Sequence, residues 1–159
     1  MSTKKAEQTD SNKSEDQIML NNIHHIGIIV RDIYETVKYF SEKLGIIFKV
    51  MEMEHSGLLH DKPMKYKAKV AHAKMGIITL ELLQTMEGKN IFEEFLKKNG
   101  EGIHHIAMIL QEDLNTEIEK WQKIGIKALQ VDQISPGEGT AYMDVPGCII
   151  ELLCFKRMR

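Results

Sequence analysis

From Ile18 onward, apolar residues fall in short runs whose period alternates between strand-like and helix-like. His24 to Val30 is an Ile-rich run ending at Arg31-Asp32, and reads as a buried strand. Asp32 is placed to cap a helix, with Glu35 three residues on as its capping-box partner. Ile33, Val37, Phe40 and Leu44 then recur at helical spacing, and Gly45 supplies the stop. Ile46 to Met53 predicts a second strand, followed by a polar loop holding Gly57, His60 and Pro63. Tyr66 to Met75 alternates, Ile77 to Gln84 is apolar, and Gly76 between them predicts a tight hairpin. Phe92, Phe95 and Leu96 mark a short helix that stops at Gly100.

The opening then recurs. His104-His105-Ile106-Ala107-Met108-Ile109 echoes His24-His25-Ile26-Gly27-Ile28-Ile29. Asp113-Leu114 echoes Asp32-Ile33, Trp121 echoes Phe40, and Gly125-Ile126 echoes Gly45-Ile46. Ile149 to Leu153 echoes Thr79 to Leu83. The order strand, helix, strand, strand, strand thus occurs twice, the second copy lacking about ten residues around His55 to Pro63. Each copy leaves one sheet face to bury, so the two pair into a curved, barrel-like mixed sheet with helices outside, an α+β fold. The expected organisation is one domain over 18–159, built from modules 22–87 and 101–156 joined by a short helix near 90–100. Residues 1–17 are polar and charged, and predict a flexible tail.

Composition narrows the partners. Lys and Arg number 21 against 23 acidic residues, leaving no basic excess for a nucleic-acid backbone. No run approaches the roughly 20 apolar residues of a membrane span, and no targeting segment is evident, so the cytoplasm is expected. Cys148 and Cys154 lie on one face of a single run, about 20 Å apart at roughly 3.3 Å per residue, and predict free thiols.

The repeat also carries chemistry. The first strand of each copy offers a His-His pair and the last a Glu, so His25, Glu81, His105 and Glu151 could meet at the centre of the cleft. Two neutral imidazoles and two carboxylates make an N₂O₂ set for a first-row divalent ion. Carboxylates inside runs such as Leu80-Glu81-Leu82 need a partner cation, because burying an unpaired charge is expensive. Alternation puts His24 and His104 on the opposite face from His25 and His105, and parity alone does not choose between them. If Met75-Gly76 make the turn, His72 stands opposite Thr79 and shares a face with Glu81. Lys65, Lys67 and Lys69 alternate on the other face, as a solvated strand edge would.

Phe95 to Gly100, followed by Gly102-Ile103-His104-His105-Ile106-Ala107, resembles the signature of methylmalonyl-CoA epimerases. His25 to Asp32 is similar to that family's opening strand and turn, and Ile150-Glu151-Leu152 to its closing strand. The resemblance spans about Asn22 to Phe155 and implies the vicinal-oxygen-chelate fold of paired βαβββ modules. It points to the second His of each pair as ligand, with Glu151 and Glu81, and to cobalt first, with zinc, nickel or manganese as the other ions. It implies an isomerase that moves the α-proton of a branched acyl-CoA, methylmalonyl-CoA first, through a metal-stabilised enolate, and a homodimer. Glu151 is then the first catalytic candidate, since a carboxylate at the metal edge can serve as ligand or base. The third-strand glutamate of some epimerases has no counterpart between Tyr66 and Met75. His72 is the second candidate from its place beside Glu81, with an exposed histidine on a Lys-rich strand as its other reading. The His-Glu-His-Glu set also resembles glyoxalase I, an isomerase of a thiol hemithioacetal, and a non-catalytic binding protein of the same fold is the third reading.

Overall fold

One order of elements is used twice. The computed structural model describes residues 23–155. It holds β1 (Ile23–Ile29), α1 (Ile33–Leu44), β2 (Lys49–Leu59), β3 (Lys62–Met75) and β4 (Ile78–Gly88). After α2 (Ile91–Asn99) come β5 (Gly102–Ile109), α3 (Leu114–Lys123), β6 (Ala128–Ser135), β7 (Glu138–Val145) and β8 (Cys148–Cys154). The tail expected over 1–17 lies outside the described residues.

The strands close into a barrel in the order β1-β4-β3-β2-β6-β7-β8-β5. Each half contributes four neighbours, with β1 parallel to β4 and β5 parallel to β8. The halves meet at two antiparallel seams, β1 with β5 and β2 with β6. Equivalent strands therefore face each other across a pseudo-twofold axis.

Local chemistry sets the helices as the pattern predicts. The Asp32 carboxylate accepts from the backbone N–H of Tyr34 and Glu35, and Asp113 does the same for Asn115 and Thr116. Gly45, at φ 68°, closes α1 in the left-handed conformation that glycine adopts at little cost. On the outer wall α1 covers β3 and β4 with Ile33, against Ala71, Ala73 and Leu82. α3 covers β7 and β8 with Leu114 and Trp121. The opposite strand face forms an inner cluster of Ile29, Tyr66, Val70, Leu83 and Tyr142, to which α2 adds Ile91 and Phe92.

Three local expectations change. The polar loop expected around Gly57 to Pro63 is instead a long hairpin, with β2 paired to β3 from Lys49↔His72 to Leu59↔Lys62. Its turn needs only His60 and Asp61, at φ 47° and 61°, the doubly left-handed geometry that matches strand twist. The extra length is what closes the barrel, because Gly57 and Leu59 pair with Asp132 and Gln130 of β6. Second, β3 runs between β2 and β4, so its lysines do not guard an edge. Lys67 pairs with Glu87 on β4 at 3.3 Å, and Lys65 pairs with Glu54 on β2. Third, the β3–β4 turn is Gly76-Ile77, which sets His72 opposite Glu81 rather than Thr79. The two-residue displacement preserves parity, so the face expected for His72 is unchanged. Neither Cys148 nor Cys154 is in a disulfide. Among the described residues no helix is long and apolar enough to cross a membrane.

Candidate metal and catalytic site

Two small residues on neighbouring strands organise the centre. Gly27 of β1 pairs with Glu81 of β4 on one side and His105 of β5 on the other. Ala107 of β5 pairs with His25 of β1 and Glu151 of β8. The repeat therefore turns one His and one Glu from each half into a single patch on the inner face. All four side chains are buried, His105 completely.

Their donor atoms converge. His25 Nε2 lies 2.8 Å from Glu151 Oε2, 3.4 Å from Glu81 Oε2 and 3.2 Å from His105 Nε2. His105 Nε2 lies 3.3 Å from Glu81 Oε2 and 3.2 Å from Glu151 Oε2. Ligands at about 2.1 Å from one ion stand about 3.0–3.4 Å apart in octahedral or tetrahedral geometry, so these separations are of the size a shared cation requires. Glu151 Oε2 lies between two imidazole nitrogens, at 2.8 Å from His25 and 3.2 Å from His105, a buried acceptor aimed into the cluster. Among the described residues this quartet is a group of ligand atoms all within 4.8 Å of one another. The residues fit a divalent ion.

Electrostatics agree with that geometry. Burial pulls the His25 imidazolium down, yet Glu81 and Glu151 outweigh it and raise the group to about 10. Burial likewise lowers His105, and Glu151 with Glu81 raise it to about 9. Burial pushes Glu151 up, but His105 and His25 bring it down to about 2; Glu81 is held well below the usual range in the same way. The cluster without a cation thus holds its protons on imidazole, and a bound cation would take their place.

Both catalytic candidates border the cluster. Glu151 belongs to it. His72 on β3 places Nε2 2.8 Å from Glu81 Oε1, the oxygen turned away from His25 and His105, and its side chain is 35% exposed. The outer histidines also have partners. His24 Nδ1 lies 2.9 Å from His25 Nδ1, and His104 Nδ1 lies 2.9 Å from His105 Nδ1.

Two groups escaped the sequence reading. Tyr142 stands opposite Glu151 as His72 stands opposite Glu81, each nine positions before its glutamate, so extending the repeat backwards would have found it. The second group is the buried Asp132, which accepts from Tyr66 Oη at 2.7 Å and Gln130 Nε2 at 3.0 Å. Nothing in the local pattern of β6 announces it, because Tyr66 reaches Asp132 only through the β2–β6 closure.

Comparison with known proteins gives one family. Residues 24–143 match the family described as the Glyoxalase/Bleomycin resistance protein/Dioxygenase superfamily. Two uncharacterized Bacillus subtilis proteins are similar: YqjC, 28% identical over 75% of this chain and 86% of its own, and YwbC, 27% over 81% and 91%. A hypothetical protein from Bacillus halodurans, BH1468, superposes with a TM-score of 0.60 at 23% identity, over 85% of this chain and 94% of its own. A Streptomyces coelicolor methylmalonyl-CoA epimerase variant in complex with 2-nitronate-propionyl-CoA does so at 0.60 and 24%, over 85% and 97%. A methylmalonyl-CoA epimerase in complex with methylmalonyl-CoA and NH4+ gives 0.59 and 25%, over 85% and 94%.

Proposed function

We propose, because this chain belongs to the Glyoxalase/Bleomycin resistance protein/Dioxygenase superfamily, that His25, Glu81, His105 and Glu151 hold one divalent cation at the centre of an acyl-CoA epimerase. The observation that carries the reading is the convergence of four buried donor atoms from two repeated halves. Cobalt is the first ion by resemblance, with zinc, nickel or manganese as the others. Once bound, such an ion stabilises negative charge developing on a substrate carbonyl oxygen.

The chain's own residues then manage the proton. Epimerisation removes a proton from the α-carbon on one face and returns one on the other, so two groups must flank the carbon. Glu151 comes from β8 and His72 from β3, with β4, β1 and β5 between them in the barrel order. They approach the centre from opposite sides. Glu81 holds the His72 ring through Nε2, while the 35% exposure of that side chain gives it access to a ligand in the mouth. The apolar inner wall of Ile29, Val70 and Leu83 limits water beside the site. The acyl-CoA ligands named for the solved epimerases of this fold support methylmalonyl-CoA as the first substrate to test.

The test is α-proton exchange with deuterium in methylmalonyl-CoA, with and without added divalent metals. Exchange that depends on metal supports the reading, and no exchange under any metal sinks it. Turnover of a hemithioacetal with none of acyl-CoA would instead assign a glyoxalase I-like isomerase.

A further inference from the structure

The outer histidine of each His-His pair points away from the quartet's patch, yet its ring is not idle. His24 and His104 sit at equivalent positions of the two halves, and each brings Nδ1 to 2.9 Å from Nδ1 of the inner histidine. Two nitrogens at that distance share one proton, so one donates and the other accepts. The inner rings turn Nε2 towards Glu81 and Glu151.

We propose that His24 and His104 are positioning residues, accepting through Nδ1 a hydrogen bond from Nδ1–H of His25 and His105, and so fixing the tautomer and ring angle that leave each inner Nε2 lone pair free for a cation. The metal half of this proposal rests on the quartet reading above.

The buried member of the pair argues against simple packing. His104 is 5% exposed, with its ring among Phe92 and Phe95 at centroid distances of 5.3 and 5.0 Å. As an Nδ1 acceptor it carries its proton on Nε2, and that atom is buried with no hydrogen-bond partner. An aliphatic side chain would fill the same aromatic pocket without leaving a donor unpaired. A structural role alone gives no reason for histidine there. An acceptor for the inner ring does, in the way outer hydrogen-bond partners orient metal-binding imidazoles generally.

The test compares His104→Leu, which removes the acceptor, with His104→Asn, whose Oδ1 can replace Nδ1. Calorimetric titration of the full chain with Co2+ or Zn2+ should show about 10- to 100-fold weaker binding for the Leu variant and recovery for Asn. The same comparison at His24, which is only half-buried, covers the case in which His104→Leu does not fold. Equal affinity for the wild type and a folded Leu variant overturns the proposal, as does an Asn variant no better than Leu. A second readout needs no metal: nitrogen-15 NMR of the metal-free protein should show Nδ1 of His104 unprotonated, and a proton there refutes the assignment. If the wild type takes up no metal, the quartet reading fails, while the NMR result still decides which ring accepts.

Discussion

Gly27 lies directly beneath the ring of His105: a β-carbon built on it would stand 2.0 Å from Cε1 and 2.2 Å from Nε2 of that imidazole. No side chain fits there while His105 keeps its place. The equivalent position in the other half, Ala107, carries its methyl group fully buried, so the two halves differ at this contact. Gly27→Ala should displace His105 and abolish detectable binding of divalent metal. Secondary structure should persist, since the clash is with a side chain. Titration calorimetry beside circular dichroism checks both halves of the expectation, and metal affinity unchanged from wild type would show that His105 is not a ligand.

Metal should stabilise the fold. A cation that binds only the folded chain contributes about 2.7 kcal/mol at a hundredfold excess over Kd, roughly 5–10 °C in Tm for a domain of this size. Adding Co2+ or Zn2+ to chelator-treated protein should produce that rise, and chelator should reverse it. Glu151→Gln should remove most of the response, because it deletes one of two charges that balance the ion. A Gln variant with the full response would place the ion elsewhere.

The pH dependence of the metal-free protein follows from its imidazoles. His25 and His105 are raised to about 10 and about 9, above the ordinary 6.5. A raised pKa means the folded state binds the proton more tightly. That stabilisation is complete below about 6.5 and disappears as pH climbs through 9 and 10. Tm of the chelated protein should therefore fall across this interval, whereas the metal-loaded protein, whose imidazoles are already deprotonated, should hold steady. Metal uptake near neutral pH should release protons, measurable as buffer-dependent binding enthalpies. A chelated protein whose Tm is flat from pH 7 to 10 contradicts the coupling.

A variant at His72 tests the proposed proton transfer apart from metal holding. Its Nε2 touches only the Glu81 oxygen turned away from the other imidazoles. His72→Ala should thus leave metal affinity within a few-fold of wild type while lowering α-proton exchange by about 10²- to 10⁴-fold, the usual worth of a positioned acid or base. Exchange at the wild-type rate removes His72 from the reaction.

How much of this was legible in the sequence follows from where the information lies. The two halves, their helix caps and the barrel-like pairing were readable because Asp32, Gly45, the His-His pairs and the apolar runs around Glu81 and Glu151 are local patterns that recur. Period-two alternation grouped the residues that share a face, and it survives a turn displaced by one residue, which shifts the partner of His72 by two. Which face is inside came from the family resemblance. Chain closure was not readable. His60-Asp61 lacks the glycine that usually announces a two-residue turn, so the outer ends of β2 and β3 read as loop, and the seam β2 forms with β6 stayed hidden. Asp132 depends on that seam, and a lone acid in a strand carries no signal without its partner.

Asp132 is itself testable. Burial raises its carboxyl to about 7 from the ordinary 3.8, with the hydrogen bonds from Tyr66 and Gln130 offsetting part of the cost. Here the folded state favours the neutral acid. Ionisation therefore destabilises the protein progressively as pH rises from about 4 to about 7, after which the loss is constant. Asp132→Asn keeps an acceptor for Tyr66 and cannot ionise, so it should escape this loss. Relative to wild type, the variant should gain denaturant stability steadily between pH 4 and 7 and hold the gain above. A stability difference that does not change across that interval would mean that Asp132 is ionised within the barrel, with its charge met by the Tyr66 hydroxyl and the Gln130 amide.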